Sequence, residues 1–130
     1  MYSLVHSRLL QAIYRHSVQS ADKAAVIVKD SSVSYASLWK NILGASAFLQ
    51  SQGLKKGDVI LLSALKDAEF VYVYFAAHLL GVVNVIVDPT SNEERKNYII
   101  GAVHPKKVFG LKEGIAYSEV SLEGAPMDIE

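Results

Sequence analysis

Cysteine is missing from all 130 residues, which removes disulfides and thiolate metal sites together and agrees with a reducing compartment. A cytoplasmic location is therefore expected. Charge of one sign is missing too, with 13 basic against 13 acidic side chains and a formal net charge of zero. A nucleic-acid binder needs clustered cations to neutralise phosphates, and Lys55-Lys56 and Lys106-Lys107 are only pairs. No nucleic-acid partner is expected. The N-terminus lacks the continuous apolar segment of a secretory signal. It does carry no acidic residue from Met1 to Ala21, while Arg8, Arg15, four serines and apolar Leu4, Val5, Leu9, Ala12 and Ile13 give an amphipathic pattern. That stretch reads either as a first surface helix or as an organellar transit peptide.

Long hydrophobic runs are absent with one exception, "FVYVYFAAHLLGVVNVIV", Phe70 to Val87, 18 residues without a formal charge. Roughly 20 apolar residues cross a bilayer, but this run is interrupted by His78, Gly81 and Asn84. Before Gly81, Asp67 is an N-cap candidate and Glu69 meets the positive end of a helix dipole. After it, "VVNVIV" has the β-branched chemistry of a buried strand, and Gly81 suits the left-handed residue that ends a helix. The run divides into a helix and a strand, and no membrane span is expected.

The same alternation fills most of the chain. "KAAVIVKD" reads as a strand, and Ser34 caps a helix whose Tyr35, Leu38, Ile42, Ala45 and Leu49 recur at helical spacing. Gly53 closes that helix, Gly57-Asp58 turns, and "VILLSAL", Val59 to Leu65, is an apolar strand. After Asp88-Pro89, Ser91 and Glu94 form a Ser-x-x-Glu capping box opening a helix to about Ala102. "KKVFG" is a last strand. Fully apolar strands separated by helices imply α/β, doubly wound, with a mostly parallel sheet covered by helices on both faces. Val59–Leu65 and Val82–Val87 are expected as central strands. Residues 1–110 form this unit, and 111–130, with five acidic residues and no sustained period, read as an acidic tail or linker.

Motifs that carry chemistry are scarce. No Gly-x-Gly-x-x-Gly and no Gly-x-x-x-x-Gly-Lys-Ser/Thr occurs, so neither common phosphate loop is present. His6, His16, His78 and His104 lack metal-ligand spacing, and His78 reads as a hydrogen-bonded core or rim residue. Ser37-x-x-Lys40 and Ser63-x-x-Lys66 match a serine-activating pattern without its partner motifs. Tyr72-Val73-Tyr74 reads as core rather than as a stacking platform, because no basic stripe accompanies it.

The order of elements resembles a known family. Ser34-Tyr35-x-x-Leu38, Gly53-Leu54-x-x-Gly57-Asp58-x-Ile60, Glu69-Phe70-Val71, Gly81, Asp88-Pro89 and Glu93-Glu94 together are similar to the opening segment of the adenylate-forming (AMP-binding) enzymes. Those are acyl-CoA synthetases, peptide-synthetase adenylation domains and luciferases. The resemblance covers Ala24 to about Gly110. Departures fall at Ser37, where the family has Glu, at Ala21, where it often has Pro, and at Val87 before Asp88-Pro89, where it has Leu or Pro.

This resemblance implies a parent that activates a carboxylate as acyl-AMP and passes it to a thiol, as an acid–thiol ligase using ATP, Mg and CoA or a carrier thiol. The family's phosphate loop and its lysine, the adenine segment, the ribose-binding aspartate and the C-terminal lysine would all follow Glu130. The chain is therefore expected to be an N-terminal scaffold piece, inactive alone, whose partner is the remainder of the parent chain. No catalytic, cofactor-binding or metal residue is assigned, and no cofactor is expected on the piece itself. The alternative is a self-contained α/β module that binds a partner or a nucleotide. Its best anion site would be Asp88-Pro89-Thr90-Ser91 at a helix N-terminus.

Overall fold

The computed structural model of the chain describes residues 7–64 and 67–110. The expected tail at 111–130 lies outside them, as do Leu65, Lys66 and the first six residues of the transit-like stretch. Along the described chain the elements are α1 (Arg8–Gln19), β1 (Ala24–Val28), β2 (Ser31–Ser34), α2 (Tyr35–Ser51), β3 (Val59–Ser63), α3 (Ala68–Leu80), β4 (Val83–Val87), α4 (Glu93–Val103) and β5 (Lys107–Phe109). The division of the long apolar run at Gly81 is borne out. Gly81 sits at φ 75, ψ 21, its N–H reaching back to the Ala77 and His78 carbonyls. Among the described residues no helix is long and apolar enough to cross a membrane.

Three strands form a parallel sheet in the order β4-β3-β5. Ile60 stands between Asn84 and Lys107, Leu61 between Val85 and Val108, and Leu62 between Ile86 and Phe109. The chain moves from β3 to β4 in one direction and back past β3 to β5 in the other. Right-handed crossovers then put α3 and α4 on opposite faces, which is the doubly wound arrangement. Ile60, Leu62 and Phe109 join the core built by α1, α2 and α3. Leu61, also fully buried, belongs to the opposite face by the alternation of a strand.

Two expectations are corrected here. β1 does not join the parallel sheet but pairs antiparallel with β2 in a separate hairpin, Val28 opposite Ser31. The turn places Lys29 at φ 52, a left-handed conformation usually taken by glycine or asparagine. β2 carries no strand signal in the sequence, because "SSVS" has a single apolar residue. Second, β4 is not central. Among the described residues it is an edge, with Val83 and Ile86 48% and 46% exposed.

The capping expectations for the two long helices hold. Ser34 and Asp67 adopt extended backbone, and their side chains accept from the Ser37 and Phe70 N–H at 3.2 and 2.9 Å. Ser34→Ala orphans the first of these donors and is expected to lower stability by about 1 kcal/mol. A urea midpoint equal to that of the parent sequence would remove Ser34 as the cap. α2 and α3 pack against each other, and each buries small residues, Gly44, Ala45 and Ser46 on one and Ala76 and Ala77 on the other. Ser46 stays satisfied there by donating to the Ile42 carbonyl at 2.8 Å. α1 closes the layer with Leu10 and Ile13, and Tyr14 stacks on Trp39 with centroids 5.4 Å apart.

Candidate functional site

In open α/β sheets ligands gather beyond the carboxyl ends of the strands, where the strand order reverses. Here that edge is formed by Ser63, Val87-Asp88 and Phe109. Asp88 organises it. One carboxylate oxygen, Oδ1, accepts from the Thr90 N–H at 2.8 Å and the Thr90 hydroxyl at 2.7 Å, and the Asp88 carbonyl accepts from the Ser91 N–H at 3.0 Å. The backbone N–H of Thr90 and then its hydroxyl hold the Asp88 carboxyl below the usual carboxylate range, because both bonds favour the charged form.

The expected Ser91–Glu94 capping box is not formed. Asn92, at φ −71 and ψ 165, is the N-cap, and its Oδ1 accepts from the Arg95 N–H at 2.8 Å. The turn set by Asp88 uses Ser91 for its own closure, which moves the extended cap position one residue on. The backbone donors of Thr90 and Ser91 are thus already spent. Glu93 and Glu94 occupy the first turn of α4, where their charges take the favourable end of the dipole. Lys96 Nζ, whose charge favours the ionised Asp88, lies 3.9 Å from the Glu93 carboxylate. The arrangement holds a turn together and leaves little with which to hold a phosphate.

Other polar groups sort into structural roles. Asp58 accepts from the Lys55 N–H at 2.9 Å and from Lys106 Nζ at 3.2 Å, while Lys106 also donates to the Gly53 carbonyl at 2.7 Å. The Lys55 N–H first, then Lys106, keeps the Asp58 carboxyl low. This cluster ties the end of α2 to the approach of β5. His78 is an exposed rim histidine, with Nε2 3.1 Å from the Ser7 hydroxyl. Ser37 and Lys40 are both exposed on α2, and Lys66 of the second Ser-x-x-Lys match lies outside the described residues. Tyr72 and Val73 are core, as expected, and Tyr74 packs edge-on to Phe75. Among the described residues no three His, Cys, Asp or Glu side chains come together as metal ligands.

One feature gave no signal in the sequence. A recess of about 360 Å³ opens between the hairpin, α2 and α3, lined by Asp22, Ser32, Ser34, Ser37, Asn41 and Tyr72 among others. Its residues come from distant parts of the chain, and no short motif links them.

Comparison with known proteins decides the family. A family profile described as AMP-binding enzyme matches residues 13–127. The chain belongs to this family. It is 37% identical over 98 residues to an L-proline--[L-prolyl-carrier protein] ligase of Pseudomonas fluorescens, covering 75% of this chain and 19% of that protein. It is 28% identical over 92 residues to the phenyloxazoline synthase MbtB of a Mycobacterium species, covering 71% of the chain and 8% of the synthase. The chain thus spans less than a fifth of the length of these curated relatives.

Solved structures show the same fold at low identity. The N-terminal subdomain of Klebsiella oxytoca NpsA, solved with 3-hydroxyanthranilyl-AMSN, superposes with a TM-score of 0.72 at 22% identity, covering 78% of this chain and 26% of that one. The O-succinylbenzoate coenzyme A synthetase MenE of Bacillus subtilis, solved with AMP, gives 0.77 at 19% identity, covering 91% and 34%. The fold is that of the N-terminal subdomain of adenylate-forming enzymes.

Proposed function

We propose that these residues are the N-terminal scaffold of an ATP-dependent ligase that activates a carboxylic acid as its adenylate and hands it to a carrier or coenzyme thiol. The observation that carries this reading is the 37% identity to a ligase that loads a carrier protein, set within a family match over most of the chain. The thiol-bearing carrier or coenzyme, ATP with Mg, and the carboxylate are partners of the whole enzyme. The remainder of that enzyme is the partner of this piece.

The scaffold part of the reading rests on the inventory of groups at the carboxyl edge. A triphosphate needs converging N–H donors, a lysine or arginine and usually a metal. At the two helices that open there, the Thr90 and Ser91 donors are bonded within the turn before α4, Asp67 caps α3 by accepting from the Phe70 N–H, and Glu69, Glu93 and Glu94 occupy the first turns. The 130-residue chain is therefore expected to show no ATP–pyrophosphate exchange with any carboxylic acid, and no change in melting temperature with ATP and magnesium. Bound nucleotide at a hundred times its dissociation constant would add about 2.7 kcal/mol, an effect large enough to see. A nucleotide-dependent rise that disappears in Thr90→Ala would replace the scaffold with a self-contained nucleotide-binding module.

A further inference from the structure

The recess between the hairpin and the two long helices is built from polar groups that the fold itself does not use. Tyr72 is 5% exposed and lines it, yet among the described residues its hydroxyl has no hydrogen-bond partner. That oxygen is also not one of the fully sealed unpartnered atoms, so it keeps some contact with solvent. The side chains of Asp22, Ser32, Ser37 and Asn41 line the same space, and no hydrogen bond to a described residue engages any of them. Only Ser34 is committed, through its cap. A hydroxyl that reaches solvent without a protein partner is free to exchange its water for a ligand.

The chemistry of the lining selects the ligand. An anion finds no donors at the start of α2, because its first N–H groups are taken. Tyr35 donates to the Lys23 carbonyl at 3.0 Å, Ala36 to the Ala21 carbonyl at 3.1 Å, and Ser37 to the Ser34 hydroxyl. The Asp22 carboxylate repels an anion further. A cation finds that carboxylate, but it also faces the positive end of the 17-residue α2. Neither sign of charge gains across the whole recess. Hydroxyls and a carboxamide both donate and accept, and a carboxylate accepts from two neighbouring hydroxyls at once.

We propose that this recess binds a neutral polyhydroxylated ligand, a sugar or polyol, with Tyr72, Asn41 and the serine hydroxyls exchanging hydrogen bonds with it and Asp22 accepting from adjacent hydroxyls. The site does not depend on the ligase reading.

The test is a two-dimensional amide NMR titration of the 130-residue chain with methyl α-glucopyranoside, and in parallel with inorganic phosphate and with guanidinium. Saturable shifts confined to residues around 22–41 and 72, with the saccharide alone, are expected. Tyr72→Phe keeps the ring and removes only the unpartnered hydroxyl. It should weaken binding about tenfold, the value of one good hydrogen bond, and leave the melting temperature unchanged or higher. Asp22→Asn should weaken binding as well. Absence of saturable saccharide shifts, preference for phosphate or guanidinium, or a clear loss of melting temperature in Tyr72→Phe would each overturn the proposal. The last outcome would mean that the hydroxyl already has an internal partner.

Discussion

Leu62→Ala should lower the unfolding free energy by about 2–5 kcal/mol, a large part of the roughly 5–15 kcal/mol that a domain commands. β3 is the strand with partners on both sides, and Leu62 is fully buried between Ile86 and Phe109 in the layer facing α2 and α3. Truncation removes apolar contacts from both the sheet and the helices. It also leaves a cavity in that layer, which the surroundings fill only in part. Ile86→Ala is the control within the same cross-strand row. Ile86 is 46% exposed on the edge strand, so its truncation should cost clearly less, on the order of 1 kcal/mol. Urea unfolding of the two variants, with unchanged slopes, measures the contrast. Equal midpoints would show that the row is buried alike at both positions and that β4 is covered in solution.

The gradient along that row also explains what the sequence could convey. Element identity was legible wherever local chemistry is decisive. Gly81 separates a capped helix from a β-branched strand, and Ser34 and Asp67 mark helix starts that the structure keeps. Strand order is a different kind of information. β3 and β4 have almost the same apolar character, and nothing in "VILLS" or "VNVIV" says which will be flanked twice. The answer comes from β5, only three residues long, docking on the far side of β3.

The hairpin was hidden for a local reason. Its second strand is mostly serine, and its turn uses Lys29 in a left-handed conformation without the glycine or asparagine that would announce it. Ser91 and Asn92 are both good cap residues, so adjacent positions competed on equal terms. The Asp88 turn, a local side-chain and backbone feature, chose between them. The candidate sites follow the same division. That the Asp88-Pro89 edge offers little to an anion could be suspected from Glu93 and Glu94, whereas the recess required side chains 50 residues apart in sequence, Asp22 and Tyr72, to be placed together.

Gly81→Val should be the most damaging single change outside the core, costing on the order of 1–3 kcal/mol. At φ 75 the residue sits where a Cβ crowds the following carbonyl, and branching at that carbon narrows the choice further. Gly81 is also a joint between elements. Its carbonyl accepts from the Gly57 N–H at 3.0 Å, and the next N–H groups bond the Ala77 and Asp58 carbonyls at 2.9 and 2.8 Å, so a backbone adjustment there disturbs α3, β4 and the Gly57 turn together. A second contribution is steric, because an added Cβ would stand 3.0 Å from the Lys56 Cγ. Lys56 is an exposed, flexible side chain, and it can move aside at small cost. The two contributions separate in three alanine variants. Gly53 has nearly the same φ, 80, with no atom within 4 Å of a new Cβ, so Gly53→Ala reports the left-handed backbone alone, about 1–2 kcal/mol. Gly81→Ala should fall close to that value, and adding Lys56→Ala should recover only the small difference between the two. A double variant restored to full stability would instead make the lysine contact, and not the backbone, the reason that position 81 is glycine.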